Sequence, residues 1–146
     1  MLELPNGYTL FEDRSVLPEE ILELRQEPIT PEEVEVWQKC LEQSLHVVGV
    51  REESIGRLVG IAMVAGNQRH AELVDATVHQ DVRKFGIGRA IGERLVSFVR
   101  EGKIKYVSLT YDTNSPWLKE AYGQLGFKPI DFAMWLKDSL DLKASS

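Results

Sequence analysis

The sequence has a single cysteine, three histidines and no long apolar run. One cysteine, Cys40, excludes a disulfide within the chain and a cysteine-based zinc cluster, and its helix-like surroundings indicate a small packing residue. The histidines lack the close helical spacing of a metal pair, so we expect no metal. No stretch reaches the roughly 18 apolar residues that span a bilayer, and the first residues lack a secretory pattern. We therefore expect a soluble, cytoplasmic protein that binds no membrane.

Positive charge is also scarce. The chain has 17 Lys and Arg residues against 23 Asp and Glu residues, which gives a formal net charge of -6. Nucleic-acid binding depends mainly on basic side chains that neutralise phosphates, so we expect no nucleic-acid partner. The acidic balance suits a small cationic partner instead. A chain of 146 residues is long enough for one domain with a real core, and we expect a single domain over residues 1–146.

Local patterns predict the order strand, helix, helix, three strands, helix, strand, helix, strand. The first strand covers Tyr8 to Glu12, and the last covers residues 127–137. Thr30 and Pro31 mark the start of the second helix, and Gly102 marks the end of the third. The expected fold is α/β (α+β), with a mixed, mostly antiparallel central sheet of about six to seven strands flanked by four helices.

The segment VHQDVRKFGIGRA, residues 78–90, places two glycines between a predicted strand and a predicted helix. The first N–H groups of a helix lack partners within it, and the helix dipole makes this end positive. Gly86 and Gly88 allow a phosphate to approach the backbone, and Arg83, Lys84 and Arg89 add positive charge. The turn suits a pyrophosphate, but on these residues alone an ordinary helix start is the simpler interpretation.

Two well-known phosphate-binding patterns are absent. No glycine-rich loop ends in Gly-Lys-Ser or Gly-Lys-Thr, and Ile91 stands where a dinucleotide-binding pattern requires its third glycine. Neither an NTPase nor a Rossmann dehydrogenase fits.

The run Arg83-Lys84-Phe85-Gly86-Ile87-Gly88 resembles the Gln/Arg-x-x-Gly-x-Gly/Ala loop of the GNAT superfamily of N-acetyltransferases. The segment SPWLKEAYGQLGFKP, residues 115–129, is similar to a second signature of that family, and the resemblance extends from about Tyr8 to Leu136. It implies an acetyl-CoA dependent enzyme that transfers the acetyl group directly to a primary amine in a ternary complex. The loop would wrap the pyrophosphate of acetyl-CoA.

The resemblance also implies roles for individual residues. Tyr122 matches the tyrosine beside the cofactor sulfur and would protonate the leaving thiolate. The family's sheet splays beside the strand that carries the loop, which places backbone contacts to the pantetheine arm and acetyl carbonyl at Ala76, Thr77 and Val78. Asn114 and Ser115 begin the second signature, where capping of the helix is an alternative role. The implied cosubstrate-binding residues are Ala76, Thr77, Val78, Arg83, Lys84, Phe85, Gly86, Ile87, Gly88, Arg89, Asn114 and Ser115.

A general base must deprotonate the acceptor amine, and Asp75 is the first candidate and Glu72 the second. A structural hydrogen bond is an equal alternative for Asp75, and a turn role is the better interpretation of His79. In a regular strand, alternation puts the two carboxylates on opposite faces. One predicted face then holds Leu73, Asp75, Thr77 and His79, and the other holds Glu72, Val74, Ala76 and Val78.

The family's acceptor pocket is shaped by the first two helices and their turn. Here Trp37 and the acids Glu27, Glu32 and Glu33 could attract a cationic amine, but acids at these positions also suit helix N-termini. The identity of the acceptor amine is therefore not predicted.

Two other functions remain as alternatives: a noncatalytic module that binds or senses acyl-CoA, and an unrelated α/β binding protein with a purely structural glycine turn. The apolar segment FAMWLKDSL, residues 132–140, slightly favours a homodimer over a monomer.

Overall fold

The computed structural model describes residues 4–111, 114, 116–130, 134 and 136. Its elements follow the predicted order as far as the fourth helix. They are β1 (Tyr8–Phe11), α1 (Pro18–Arg25), α2 (Pro31–Gln43), β2 (His46–Glu52), β3 (Arg57–Gly66), β4 (His70–Val78), a 3₁₀ helix (Gln80–Phe85), α3 (Ile87–Glu101), β5 (Tyr106–Leu109) and α4 (Pro116–Gln124). No helix in the described ranges is both long and apolar enough to cross a membrane.

The strands form one five-stranded sheet in the order β1-β2-β3-β4-β5. Neighbouring strands are antiparallel except β4 and β5, which are parallel, so the prediction of a mixed, mostly antiparallel sheet is confirmed. The predicted count of six to seven strands is too high for the described residues. Within the predicted last strand, residues 127–130, 134 and 136 lie in no strand, and the other positions lie outside the described residues. Pro129 offers no N–H to a ladder and disfavours a strand interior.

The sheet separates two hydrophobic cores. On one face α3 packs with residues at the predicted helical spacing, Ile87, Ile91, Leu95 and Val99, against valines of β2 and β3. On the other face α1 and α2 cover a second core. Its buried members include Ile21, Leu22, Trp37, Leu41, Val47, Ile61 and Met63.

The helix boundaries follow the predicted capping chemistry. Thr30 precedes α2, and its Oγ1 accepts a hydrogen bond from the backbone N–H of Glu33 at 3.2 Å. Pro31 occupies the first position of α2, where its missing N–H is of no consequence. At the end of α3, the N–H of Gly102 donates to the carbonyl of Phe98 at 2.9 Å. These local signals therefore set the ends of the helices that flank the sheet.

We expect Gly66→Ala to destabilise the β3–β4 hairpin strongly. Gly66 has a φ of +126°, and a Cβ placed there would lie 2.2 Å from the carbonyl oxygen of His70 and 2.8 Å from the Cα of Ala71. Both are backbone atoms held by the ladder, so the free energy of unfolding should fall by roughly 3 kcal/mol in chemical denaturation. Gly56→Ala is the matched control, because Gly56 has a φ of +70° but a Cβ there meets nothing within 4 Å. Equal losses in the two variants would contradict the steric explanation.

A second prediction concerns the ion pair that joins α1 to β2. Arg51 Nη1 donates to Glu20 Oε2 at 2.5 Å, and Nη2 donates to Oε1 at 3.0 Å. These hydrogen bonds hold the pKa of Glu20 below its ordinary value of 4.5, although burial opposes the shift. A carboxylate with a lowered pKa stabilises the folded state above its ordinary pKa, and this contribution is lost as the pH falls.

Glu20→Gln should therefore lower Tm by about 2–4 °C at neutral pH. The difference from the unsubstituted protein should shrink once the pH falls below 4.5, as thermal denaturation across the acid range would reveal. A Tm difference that persists undiminished into acid would show that the charge of Glu20 is not responsible.

Candidate active site

Strand β4 carries a bulge near its end. Its ladder with β3 shifts register between Ile61 and Met63, where the single intervening residue of β3 lies opposite two residues of β4, Asp75 and Ala76. Asp75 has a φ of +58°, a left-handed conformation that aspartate tolerates better than most residues. An extra residue of this kind bends the strand and redirects the side chains that follow it. The bulge therefore sets the direction in which the side chains at the end of β4 point.

The bulge overturns the predicted alternation of β4. Leu73 and Val78 both pack against the core under α3, although Val78 follows Leu73 by five positions, an odd number. Val74 packs on the opposite core, and Thr77 reaches α1 on that same side. In a regular strand, positions an odd number apart face opposite ways, and the extra residue reverses this order. The prediction was wrong to group Leu73, Asp75, Thr77 and His79 on one face.

The described pairing between β4 and β5 ends just before this bulge. β4 and β5 pair only from His70↔Tyr106 to Leu73↔Leu109, whereas β4 continues to Val78. Beyond Leu73 no further pair with β5 is found among the described residues. Backbone N–H and C=O groups need partners, so an edge of this kind can bind an extended ligand. The splay expected at Ala76, Thr77 and Val78 stays a prediction, because residues 112 and 113, which follow β5 in the chain, lie outside the described residues.

A left-handed glycine connects the 3₁₀ helix to α3. Gly86 has a φ of 79° and a ψ of 12°, and it gives α3 no side-chain cap. A Cβ at Gly86 would meet nothing within 4 Å, which means that the space in front of this residue is open. Gly88 instead faces β4, because a Cβ there would lie 3.5 Å from Cγ2 of Val78. The turn thus presents the uncapped N-terminus of α3 beside the end of β4.

The basic residues of this turn differ in their contacts. Arg83 Nε donates to the carbonyl oxygen of Val78 at 3.1 Å, which ties the 3₁₀ helix to β4. Arg89 bonds to Glu93 at 3.3 Å and also to Gln124, which ties the start of α3 to the end of α4. Lys84 is exposed. The structure therefore brings the three cations to one turn, with two of them also holding its neighbours in place.

The apolar residues of the turn divide between surface and core. Phe85 is 49% exposed, and its ring centroid lies 6.2 Å from that of Tyr8. Ile87 is fully buried in the core under α3, so only its backbone can contact a ligand.

His79 caps the 3₁₀ helix. Its Nδ1 accepts a hydrogen bond from the backbone N–H of Asp81 at 3.1 Å. The ring is therefore engaged in the turn, as the preferred interpretation of the sequence has it. The sequence had not predicted the 3₁₀ helix itself.

Tyr122 is half-buried on α4 between two other aromatic rings. Its ring centroid lies 6.3 Å from that of Tyr111 and 6.5 Å from that of Phe127. Burial raises the pKa of Tyr122 above its ordinary value of 10.0. The hydroxyl consequently stays protonated at neutral pH, which is the state that a proton donor requires.

The position of α4 depends on a small residue in α3. A Cβ placed at Gly92 would lie 2.6 Å from Cδ1 of Leu125, so the glycine allows the end of α4 to pack closely on α3. The N–H of Phe127 then donates back to the carbonyl of Tyr122 at 3.1 Å and closes the helix. Of the predicted residues that precede α4, Asn114 is exposed. Ser115 lies outside the described residues.

The proposed acceptor side lies across β4, under α1 and α2. Trp37 is only 7% exposed and belongs to the core, and Cζ of Arg25 lies 5.3 Å from its ring centroid. Glu27 accepts a hydrogen bond from Arg25 Nε at 3.0 Å. Glu32 and Glu33 are exposed in the first turn of α2, where the helix dipole favours acids. Sequence reasoning overlooked Arg25, whose only signal was a basic residue at a predicted helix end.

Asp75 lies in the bulge, and its charge reaches α2 on this side. Burial, and secondly the negative charge of Asp75, raise the pKa of Cys40 in α2 above its ordinary value of 9.0. Cys40 therefore stays a thiol, consistent with a packing role. Glu72, the other candidate base, pairs with Ala65 and Ser108 between two flanking strands. Asp75 is thus the carboxylate placed at the bulge. In the described part of the chain, no three His, Cys, Asp or Glu side chains form a group that could hold a metal.

Residues 12–127 match the acetyltransferase (GNAT) family. The chain therefore belongs to the GNAT family of acetyltransferases, whose members use acetyl-CoA as cosubstrate. This membership excludes the alternative of an unrelated α/β binding protein. No curated protein matches the sequence at a significant level.

Solved structures share the fold at low sequence identity. A probable acetyltransferase of meticillin-resistant Staphylococcus aureus is 24% identical, with 88% of this chain and 98% of that chain covered and a TM-score of 0.73. A GNAT family acetyltransferase of Streptococcus pneumoniae TIGR4 is 18% identical, with coverages of 88% and 97% and a TM-score of 0.72. An aminoglycoside acetyltransferase from an uncultured soil metagenomic sample, solved with trehalose, is 18% identical, with coverages of 92% and 99% and a TM-score of 0.70.

Proposed function

We propose that the protein is an N-acetyltransferase that moves an acetyl group from acetyl-CoA to a primary amine of a small molecule or a protein. The amine attacks directly, in a ternary complex. The observation that supports this most strongly is the junction of three features within residues 74–88: the β4 bulge, the end of the β4–β5 ladder and the left-handed turn at Gly86. Together they offer an extended edge for an acyl arm and an uncapped helix end for a phosphate.

The cosubstrate supplies the activated acetyl group, and the chain supplies its binding groups. The turn Arg83 to Gly88 would bind the pyrophosphate through backbone N–H groups and the positive end of α3. Ala76, Thr77 and Val78 would bind the pantetheine arm and the acetyl carbonyl, where an oriented N–H stabilises developing negative charge. The wider proposed set is Ala76, Thr77, Val78, Arg83, Lys84, Phe85, Gly86, Ile87, Gly88, Arg89, Asn114 and Ser115.

Proton transfer is assigned to Asp75 and Tyr122. Asp75 would accept the proton of the acceptor ammonium, directly or through a water, because it stands at the bulge and its charge acts on α2. Tyr122 would donate a proton to the departing thiolate, since burial keeps its hydroxyl protonated. Glu72 is the second candidate for the base.

The proposal is tested by measuring acetyl-CoA binding by calorimetry and thiol release with a thiol reagent over a panel of amines. We expect binding in the absence of an acceptor and thiol release only when a suitable amine is added. Binding without thiol release for any amine would instead favour a noncatalytic acyl-CoA binding module. A chain without affinity for acetyl-CoA would refute both functions.

A further inference from the structure

Arg25 connects α1 to the bulged end of β4. Its Nη1 donates to Oγ1 of Thr77 at 3.1 Å, and Thr77 lies two positions beyond Asp75. The end of α1 does not require this side chain as a cap, because the N–H groups of Gln26 and Glu27 already donate to carbonyls of the last turn. The contacts of Arg25 are therefore directed away from its own helix and toward the proposed acceptor side.

The guanidinium of Arg25 is held in one orientation. Its Nε donates to Oε1 of Glu27 at 3.0 Å, and its Cζ lies 5.3 Å from the ring centroid of Trp37. The side chain is 28% exposed. Of the five N–H donors of a guanidinium, the described contacts engage Nε and Nη1, and Nη2 has no partner among the described residues. A fixed, partly exposed arginine fork with an available edge is suited to a carboxylate.

Asp75 adds a negative charge to the same end of β4. It lies in the bulge two positions before Thr77, its charge acts on Cys40 of α2, and Arg25 reaches β4 from α1 at Thr77. Asp75 and Thr77 are two positions apart, so even across the bulge their Cα atoms lie within about 7 Å of each other. A positive amine near Asp75 and a negative group near Arg25 would thus be separated by a few covalent bonds.

We infer that Arg25 selects the acceptor, and that the acceptor is a primary amine with a carboxylate a few bonds from the amino group. Asp75 would receive the amine and Nη2 of Arg25 would bind the carboxylate. This inference rests on the proposed N-acetyltransferase function, because it assigns the acceptor of that same site.

The first test compares linear amino acids with their primary amides, matched in length and corrected for the fraction of neutral amine. In the unsubstituted protein, kcat/KM should be at least about tenfold higher for the carboxylate member of the best pair, because a charge-assisted hydrogen bond is lost in the amide. Equal kcat/KM for carboxylates and amides would overturn the inference and leave the acetyltransferase function intact.

The second test uses Arg25→Gln and Arg25→Lys, with Arg69→Gln as the matched control. Arg69 is exposed next to the start of β4, whereas Thr77 lies at its other end. The preference for carboxylates should vanish in Arg25→Gln, weaken in Arg25→Lys, and persist in Arg69→Gln. Affinity for acetyl-CoA should stay the same in all three variants.

A binding measurement tests this inference without requiring turnover. With coenzyme A present, the best linear amino acid should raise Tm of the unsubstituted protein and of Arg69→Gln, but not of Arg25→Gln. Folding of each variant is checked by its own Tm without ligand, and Arg25→Lys serves if Arg25→Gln does not fold. A Tm increase that survives in Arg25→Gln, or that is undiminished in Arg25→Lys, would overturn the inference, as would its absence from the unsubstituted protein. Failure of every amine to release thiol would count against the proposed function instead.

Discussion

Tyr122→Phe should lower kcat by at least about 100-fold, because a positioned general acid contributes roughly 10²–10⁴ to a rate. The substitution removes one hydroxyl and keeps the ring, so its contacts with Tyr111 and Phe127 should survive. Affinity for acetyl-CoA should therefore be nearly unchanged. Steady-state kinetics with the best amine and calorimetry with acetyl-CoA measure the two quantities separately.

Tyr106→Phe is the matched control for this substitution. Tyr106 is 50% exposed on β5 and contacts Arg69 and Lys105, so the loss of its hydroxyl should leave kcat unchanged. Turnover that is unchanged in Tyr122→Phe would remove Tyr122 from the mechanism. A parallel fall in both tyrosine variants would point to a general loss of stability.

The pH dependence gives an independent check of the same role. Burial raises the pKa of Tyr122 above its ordinary value of 10.0, so the protonated hydroxyl persists to higher pH than in a free tyrosine. An acid of this kind is active below its pKa, and kcat should decline only as the pH rises through the raised value. Tyr122→Phe should lack that decline.

The sequence predicts well those features that depend on neighbours along the chain. The cap at Thr30, the glycine stop at Gly102 and the apolar period of α3 all involve residues within a few positions of one another, and the structure confirms each of them. The glycine turn also depends on residues that are neighbours along the chain. Its left-handed Gly86 follows from the local need to pass from the 3₁₀ helix into α3.

The bulge in β4 could not be predicted in this way. It is defined by how Asp75 and Ala76 pair with β3, a strand that precedes them in the chain, and strand alternation assumes that no extra residue intervenes. The tolerance of aspartate for a left-handed backbone was the only local signal, and it is weak. The contact between Arg25 and Thr77 joins α1 to β4, and the periodicity of the sequence could not predict it either. The features that would shape the proposed acceptor side are therefore the ones that only tertiary structure reveals.

Features encoded by neighbouring residues and features formed by tertiary contacts should respond differently to substitutions. The proposed phosphate end is encoded locally, from Arg83 to Gly88, and its geometry should survive many substitutions elsewhere. The proposed acceptor end is assembled from α1, α2 and β4, so a change of one side chain there should alter which amine fits. Specificity is consequently expected to respond to substitutions at Arg25, whereas cosubstrate affinity is expected to respond to substitutions at Gly86.

Gly86→Glu should weaken acetyl-CoA binding by about 1,000-fold, equivalent to about 4 kcal/mol. A Cβ at Gly86 meets no protein atom within 4 Å, so the new side chain would enter the open space in front of α3 and bring a negative charge to the proposed pyrophosphate site. Gly56→Glu is the matched control, because Gly56 has a φ of +70° against +79° for Gly86 and is equally open. The backbone strain of the two variants should be similar, at about 1–2 kcal/mol each.

Calorimetry with acetyl-CoA and chemical denaturation together distinguish the two variants. Both should lose a similar amount of unfolding free energy, and only Gly86→Glu should lose affinity. If Gly86→Glu binds acetyl-CoA as tightly as the unsubstituted protein does, the turn is structural and the pyrophosphate must bind elsewhere. If affinity falls equally in both, the loss comes from the added charge or from strain, since Gly56 lies in the β2–β3 connection. The difference in affinity between these two glycine variants is therefore the quantity that assigns the turn to the cosubstrate.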